Sequence, residues 1–105
     1  MDCKINWTDT AWHSYESNIL YLESVWTVKE ISNFVLSVEK RLNNLAKYPK
    51  IGNARNRKYP NIRSTLVHKR ILLVYKYKPL KSEIDLLLFW NTSQNPRKLK
   101  LTYKK

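Results

Sequence analysis

The chain has 105 residues, 43% of them hydrophobic, and a formal net charge of +12. That is enough apolar material for one packed domain, yet no apolar run approaches the roughly 20 residues a membrane-spanning helix needs. One cysteine excludes an internal disulfide and one glycine excludes a glycine-rich phosphate loop or a dinucleotide fingerprint, while Cys3, His13 and His68 lack metal-ligand spacing.

In chain order, Met1-Asp2-Cys3-Lys4 has no basic segment ahead of an apolar stretch, so no secretory leader is expected. The lone thiol fits a reducing cytoplasm. Lys4-Ile5-Asn6-Trp7 alternates polar and apolar residues, which predicts a short strand with Ile5 and Trp7 facing the core. Thr8 is placed to cap a helix in which Ala11, Tyr15, Ile19 and Leu22 recur at helical spacing, ending near Ser24. Thr27 and Glu30 form a capping box that opens a second helix. There Ile31, Phe34, Val35, Val38, Leu42 and Leu45 make one apolar stripe, with Ser32, Ser37, Glu39, Lys40 and Asn44 on the other side. Pro49 and Gly52 close the segment, and the short link around residues 25–27 makes the two helices a hairpin.

Residues 50–60 show no periodicity and form a basic loop carrying Arg55, Arg57 and Lys58. Three apolar runs of strand length follow, Asn61–Val67, Ile71–Tyr77 and Ile84–Trp90. The breaks between them are His68-Lys69-Arg70 and Lys78–Glu83, and the last run stops at Asn91–Pro96, so an antiparallel meander is predicted. The last two runs are too apolar for clean alternation and predict partial cover on both faces. Residues 97–105 alternate again, as an extra edge strand or a frayed basic tail. The whole of residues 1–105 therefore reads as a single α+β domain of order β-α-α-β-β-β. Its helical hairpin packs on one face of a small, mainly antiparallel sheet containing Leu73, Tyr75, Leu86 and Leu88 or their in-register neighbours. The other face is expected to be concave or exposed, with the basic loops around it.

The charge is segregated. Residues 1–46 hold four basic and six acidic side chains, a balance of −2, whereas residues 47–105 hold sixteen and two, a balance of +14. The second half is built to meet something anionic: nucleic acid, an acidic protein or a membrane surface. With metal and nucleotide-cofactor motifs missing, what remains is metal-free phosphate chemistry or plain phosphate binding, with no cofactor. Cleaving RNA without a metal needs a base, an acid and fixed positive charge on the scissile phosphate. His68, followed directly by Lys69 and Arg70, could serve as base or acid. Arg63, Lys69, Arg70 and Arg97 could hold phosphate, and Tyr103 or Tyr75 could stack on a base. The simpler reading of His68-Lys69-Arg70 is a hairpin connection, polar because turns are polar. Asn91, Gln94 and Asn95 offer amides at the sheet's rim or cap the turn ahead of Pro96. Trp90 reads as a core aromatic sooner than a stacking platform, and Glu83 with Asp85 as a solvated turn sooner than a pair sharing one strand face.

These features together resemble a known family. The β-α-α-β-β-β order, Tyr48-Pro-x-x-Gly52 after the second helix, Asn61-Ile62-Arg63 opening the meander, and Val74-Tyr75 followed by Leu88-Phe89-Trp90-Asn91-x-x-Gln94-x-Pro96 are similar to the RelE/ParE superfamily of toxins from bacterial type II toxin–antitoxin systems. The resemblance implies a small basic toxin neutralised by a cognate acidic antitoxin, with no membrane involvement. It implies one of two targets: messenger RNA on the ribosome, cleaved without a metal, or DNA gyrase, which is inhibited. In this likeness Arg63 matches a basic position on the first meander strand and Tyr103 a tyrosine near the C-terminus. Two positions depart from the nuclease pattern. Leu72 stands where such nucleases carry arginine, and Ser93 falls where a basic exit-loop residue is expected. A non-catalytic basic module that binds RNA or DNA is the alternative.

Overall fold

A computed structural model describes residues 2–25, 27–54 and 56–92, apart from the side chains of Ser24 and Val25. Strand β1 (Lys4–Trp7) leads directly into helix α1 (Asp9–Val25). The switch is made by Thr8, whose hydroxyl accepts the Ala11 N–H at 3.1 Å as an N-cap and donates to the Leu86 carbonyl at 2.7 Å. Helix α2 (Val28–Lys47) opens on the reciprocal Thr27–Glu30 capping box. Phe34, Val38 and Leu45 on its stripe are buried, and Ile31 and Leu42 pack partly buried against the same core. Val35 lies at the stripe's flank and is 37% exposed, so it is not part of the buried face.

A two-residue strand, β2 (Asn53–Ala54), sits inside the basic loop, too short to leave a periodicity in the sequence. The meander follows as β3 (Ile62–His68), β4 (Ile71–Lys78) and β5 (Glu83–Asn91). The sheet order is β1-β5-β4-β3-β2, antiparallel except that β1 runs parallel to β5 from Lys4↔Glu83 to Trp7↔Leu86. Putting β1 outside β5 places both of the most apolar strands, β4 and β5, in the interior of the sheet. There their runs are satisfied on two faces.

The helical hairpin covers one face, over a core of Phe34, Leu45, Ile71, Leu73, Tyr75, Ile84, Leu86 and Phe89. The opposite face is not simply exposed: Val74, Leu88 and Trp90 are buried there in a second cluster with Ile62 and Leu87. Leu88 therefore does not share a face with Leu86. The cause is a bulge: Val74 pairs with Leu88 but Tyr75 with Leu86, leaving Leu87 as an extra residue that inverts the alternation. Nor do Glu83 and Asp85 form a solvated turn. Both lie on β5 half-buried, where the Asn6 amide donates to each, at 3.1 and 3.0 Å, and Lys78 sits 3.7 and 2.8 Å away. Among the described residues no helix is long and apolar enough to cross a membrane.

Candidate functional site

The positive charge on the second half is distributed by the meander's geometry. A strand advances about 3.3 Å per residue, so Arg63 and His68, at opposite ends of β3, stand about 16 Å apart. The structure thus separates the expected site residues into two groups. Arg57, Lys58 and Arg63 belong to the loop end of the sheet; His68, Lys69, Arg70 and Asn91 belong to the turn end. Arg55, Gln94, Arg97 and Tyr103, with Ser93 and the expected tail strand, lie outside the described residues.

At the loop end Arg63 is a clamp. Its Nε donates to the Gly52 carbonyl at 2.8 Å, Nη1 to Pro60 at 3.0 Å and Nη2 to Lys50 at 3.3 Å. Tyr75 completes the clamp from the neighbouring strand. It is fully buried and cannot stack on a base; its hydroxyl donates to the Pro49 carbonyl at 2.8 Å and accepts the Gly52 N–H at 3.0 Å. Burial pushes the Tyr75 phenol up, partly opposed by the Gly52 N–H and the Arg63 guanidinium. Gly52 is glycine for want of space: a Cβ there would stand 2.6 Å from the Ser64 carbonyl oxygen and 2.7 Å from the Tyr75 hydroxyl. Beyond this clamp Arg57 and Lys58 are exposed. Lys58 lies 5.9 Å over the Tyr59 ring, and the Asn56 side chain accepts its N–H at 2.8 Å.

At the turn end Lys69 takes the positive φ of 34° in a two-residue connection, and its ammonium is 3.5 Å from Glu30 on α2. Arg70 is exposed, and its carbonyl accepts the Thr92 N–H at 2.7 Å, tying the turn to the exit of β5. His68 turns toward the helices: its ring meets Phe34 edge-on at 5.9 Å and Nδ1 is 3.5 Å from Ser37 Oγ. Burial, and then the Lys69 charge, lower its pKa against the opposing pull of Glu30, which favours the neutral ring. Asn91 is buried, paired with Ile71. Leu72, at the position departing from the nuclease pattern, pairs with Leu66 on one side and Trp90 on the other, which makes that part of the helix-free face apolar.

Two further features were hidden in the sequence. The β5 edge beyond Trp7, where β1 stops, is sealed by α1: the Phe89 N–H donates to Ser14 Oγ at 2.9 Å and Asn18 Nδ2 donates to the Phe89 carbonyl at 3.0 Å. The opposite edge is different. β2 pairs with β3 only at Arg63 and Ser64, and no described strand continues alongside Thr65–His68. Beside this stretch lies a cleft of about 180 Å³ lined by Ser37, Lys40, Arg41, Asn44 and Val67. The only sequence signal for it was the consecutive pair Lys40-Arg41, which as a helix-surface pair looks like any solvated face. Among the described residues no group of His, Cys, Asp or Glu is arranged to hold a metal.

No family model matches the sequence, and no curated protein matches it. The structure is similar to that of the E. coli toxin RelE, solved as an arginine-to-alanine double mutant in the free state. The TM-score is 0.66 at 13% identity, over 99% of this chain and 97% of that one. At that identity the likeness is one of architecture: two helices packed on a five-stranded, mainly antiparallel open sheet, the RelE-like α+β fold.

Proposed function

We propose that this protein is the toxin of a type II toxin–antitoxin module, a cytoplasmic growth inhibitor held in check by an acidic antitoxin. The observation that supports this reading is the RelE-like fold over nearly the whole chain, in a protein whose residues 47–105 carry a balance of +14. An antitoxin has an obvious place to bind. An extended segment would add as a strand along β3 at Thr65–His68, with acidic side chains set against Lys40 and Arg41 in the adjoining cleft. The sealed edge at Phe89 offers no such place.

Its target is translation, through messenger RNA on the ribosome, or DNA gyrase. The described side chains favour action through a basic surface over a compact catalytic centre. Arg63 is committed to three carbonyls, His68 faces α2, and the sheet at Leu72 is apolar. The same placements favour the second reading, a nucleic-acid-binding module without chemistry. Inducing the chain without a partner, while mapping messenger RNA ends and gyrase supercoiling, decides between them. Growth arrest relieved by a co-expressed acidic protein supports the toxin. Codon-phased cleavage names translation and lost supercoiling names gyrase. Normal growth with both readouts unchanged leaves the binding module.

A further inference from the structure

We propose that the clamped segments of residues 47–54 and 56–60 form a docking platform for single-stranded nucleic acid, with Tyr48 and Tyr59 stacking on bases and Lys47, Lys50, Arg57 and Lys58 meeting the phosphates. The inference rests on the functional reading only in setting this half of the chain against nucleic acid.

Three observations carry it. The first is composition in place: Tyr48 is 66% exposed and Tyr59 37% exposed, interleaved with four exposed cations. No carboxylate occurs in the sequence between Glu39 and Glu83 to neutralise them. The second is rigidity. Tyr48 donates its N–H to Asn44 at 2.8 Å and its carbonyl accepts from Ile51 at 3.1 Å, while the Tyr59 N–H and carbonyl bond Asn56 and Ile62, each at 3.1 Å. One guanidinium, that of Arg63, gathers the carbonyls of Lys50, Gly52 and Pro60, drawing the segments that bear the two tyrosines to the same end of the sheet. An aromatic side chain on a fixed backbone stacks at small entropic cost. The third is what the loop does not offer. Those three carbonyls are already taken, which leaves an extended acidic peptide only the two-residue outer edge of β2 to pair with. The Tyr48 ring, the face of Tyr59 away from Lys58 and positive charge remain, and these suit a strand with exposed bases and phosphates.

The test is fluorescence anisotropy on the full chain, with labelled RNA and DNA oligomers about 12 nucleotides long, within the usual site sizes, and with polyglutamate as the acidic-peptide control. Tyr48→Ala with Tyr59→Ala, which removes two stacks, is expected to weaken binding of the single strand about 30-fold or more. Tyr48→Phe with Tyr59→Phe keeps the ring and should retain the affinity, and polyglutamate should bind all forms alike. A tighter RNA complex names RNA as the source and a tighter DNA complex names DNA; either, with the tyrosine dependence, supports the proposal. An unchanged affinity in the alanine variant overturns it, as does equal loss in the phenylalanine variant or a parallel loss for polyglutamate. Growth arrest is not read in this assay, so a harmless protein that still binds through its tyrosines would refute the toxin and keep the platform. A toxic protein without tyrosine-dependent binding would do the reverse.

Discussion

Removing one oxygen atom tests the clamp at the loop end. Tyr75→Phe keeps the ring, which is fully buried, and deletes only the hydroxyl that links the Pro49 carbonyl to the Gly52 N–H. The volume lost is too small for a cavity term to dominate. The cost comes instead from Gly52, a buried residue whose N–H is left without its acceptor. A buried donor stranded in this way costs about 1–3 kcal/mol. The half-buried Pro49 carbonyl can turn to water and adds little. For a domain of this size each kcal/mol corresponds to about 4–8 °C in Tm, so the variant should melt about 5–20 °C lower. Urea titration followed by tryptophan fluorescence should show the midpoint falling at an unchanged slope, while the exposed control Tyr48→Phe stays within about 0.5 kcal/mol of the parent. A Tyr75→Phe variant as stable as that control would show that the hydroxyl does not hold the loop, and the account of Arg63, Gly52 and Tyr75 as one clamp would fail with it.

Gly52→Ala should be worse, costing at least about 2 kcal/mol, because its Cβ would meet the Ser64 carbonyl, a backbone atom that cannot swing aside; a neutral effect in the same titration would refute the close approach. Asn18→Ala removes the bond that seals the Phe89 carbonyl and should cost about 1–2 kcal/mol, with faster hydrogen exchange along the end of β5. His68, whose folded pKa lies below its usual 6.5, favours the folded state in its neutral form. That contribution is present above about pH 6.5 and is lost as pH falls through the folded value, so the decline of stability on acidification should flatten in His68→Gln. Burial alone would raise the Asp85 pKa, but the hydrogen bonds from Lys78 and Asn6, with the charges of Lys78 and Lys76, outweigh it and leave it lowered. Its contribution holds above about pH 4 and disappears below, and Asp85→Asn should remove that acid-limb step.

The sequence by itself determined the parts whose information lies between near neighbours. Thr27 and Glu30 are three residues apart, and their capping box marks the start of α2 without reference to the rest of the chain. The helical stripe from Ile31 to Leu45, the polar breaks of the meander and the segregation of charge are likewise local or additive properties, and with them came the α+β architecture. Tertiary structure decided whatever depends on a partner far along the chain. A single extra residue, Leu87, inverts the alternation of β5, and nothing in a run of three leucines says which one bulges; pairing with Val74 and Tyr75 chooses it. Arg63 looked like a hand for phosphate because its side chain suits phosphate. Three carbonyls 3 to 13 residues away claim it first, since a guanidinium offers five donors to whichever acceptors the fold brings near. Ser14 and Asn18 appeared as ordinary polar positions of α1, and only the early end of β1, more than 70 residues upstream of Phe89, turned them into the cover of a sheet edge. Periodicity is written in adjacent residues, whereas register, edges and the occupation of a charged side chain are settled when distant segments compete for the same hydrogen bonds.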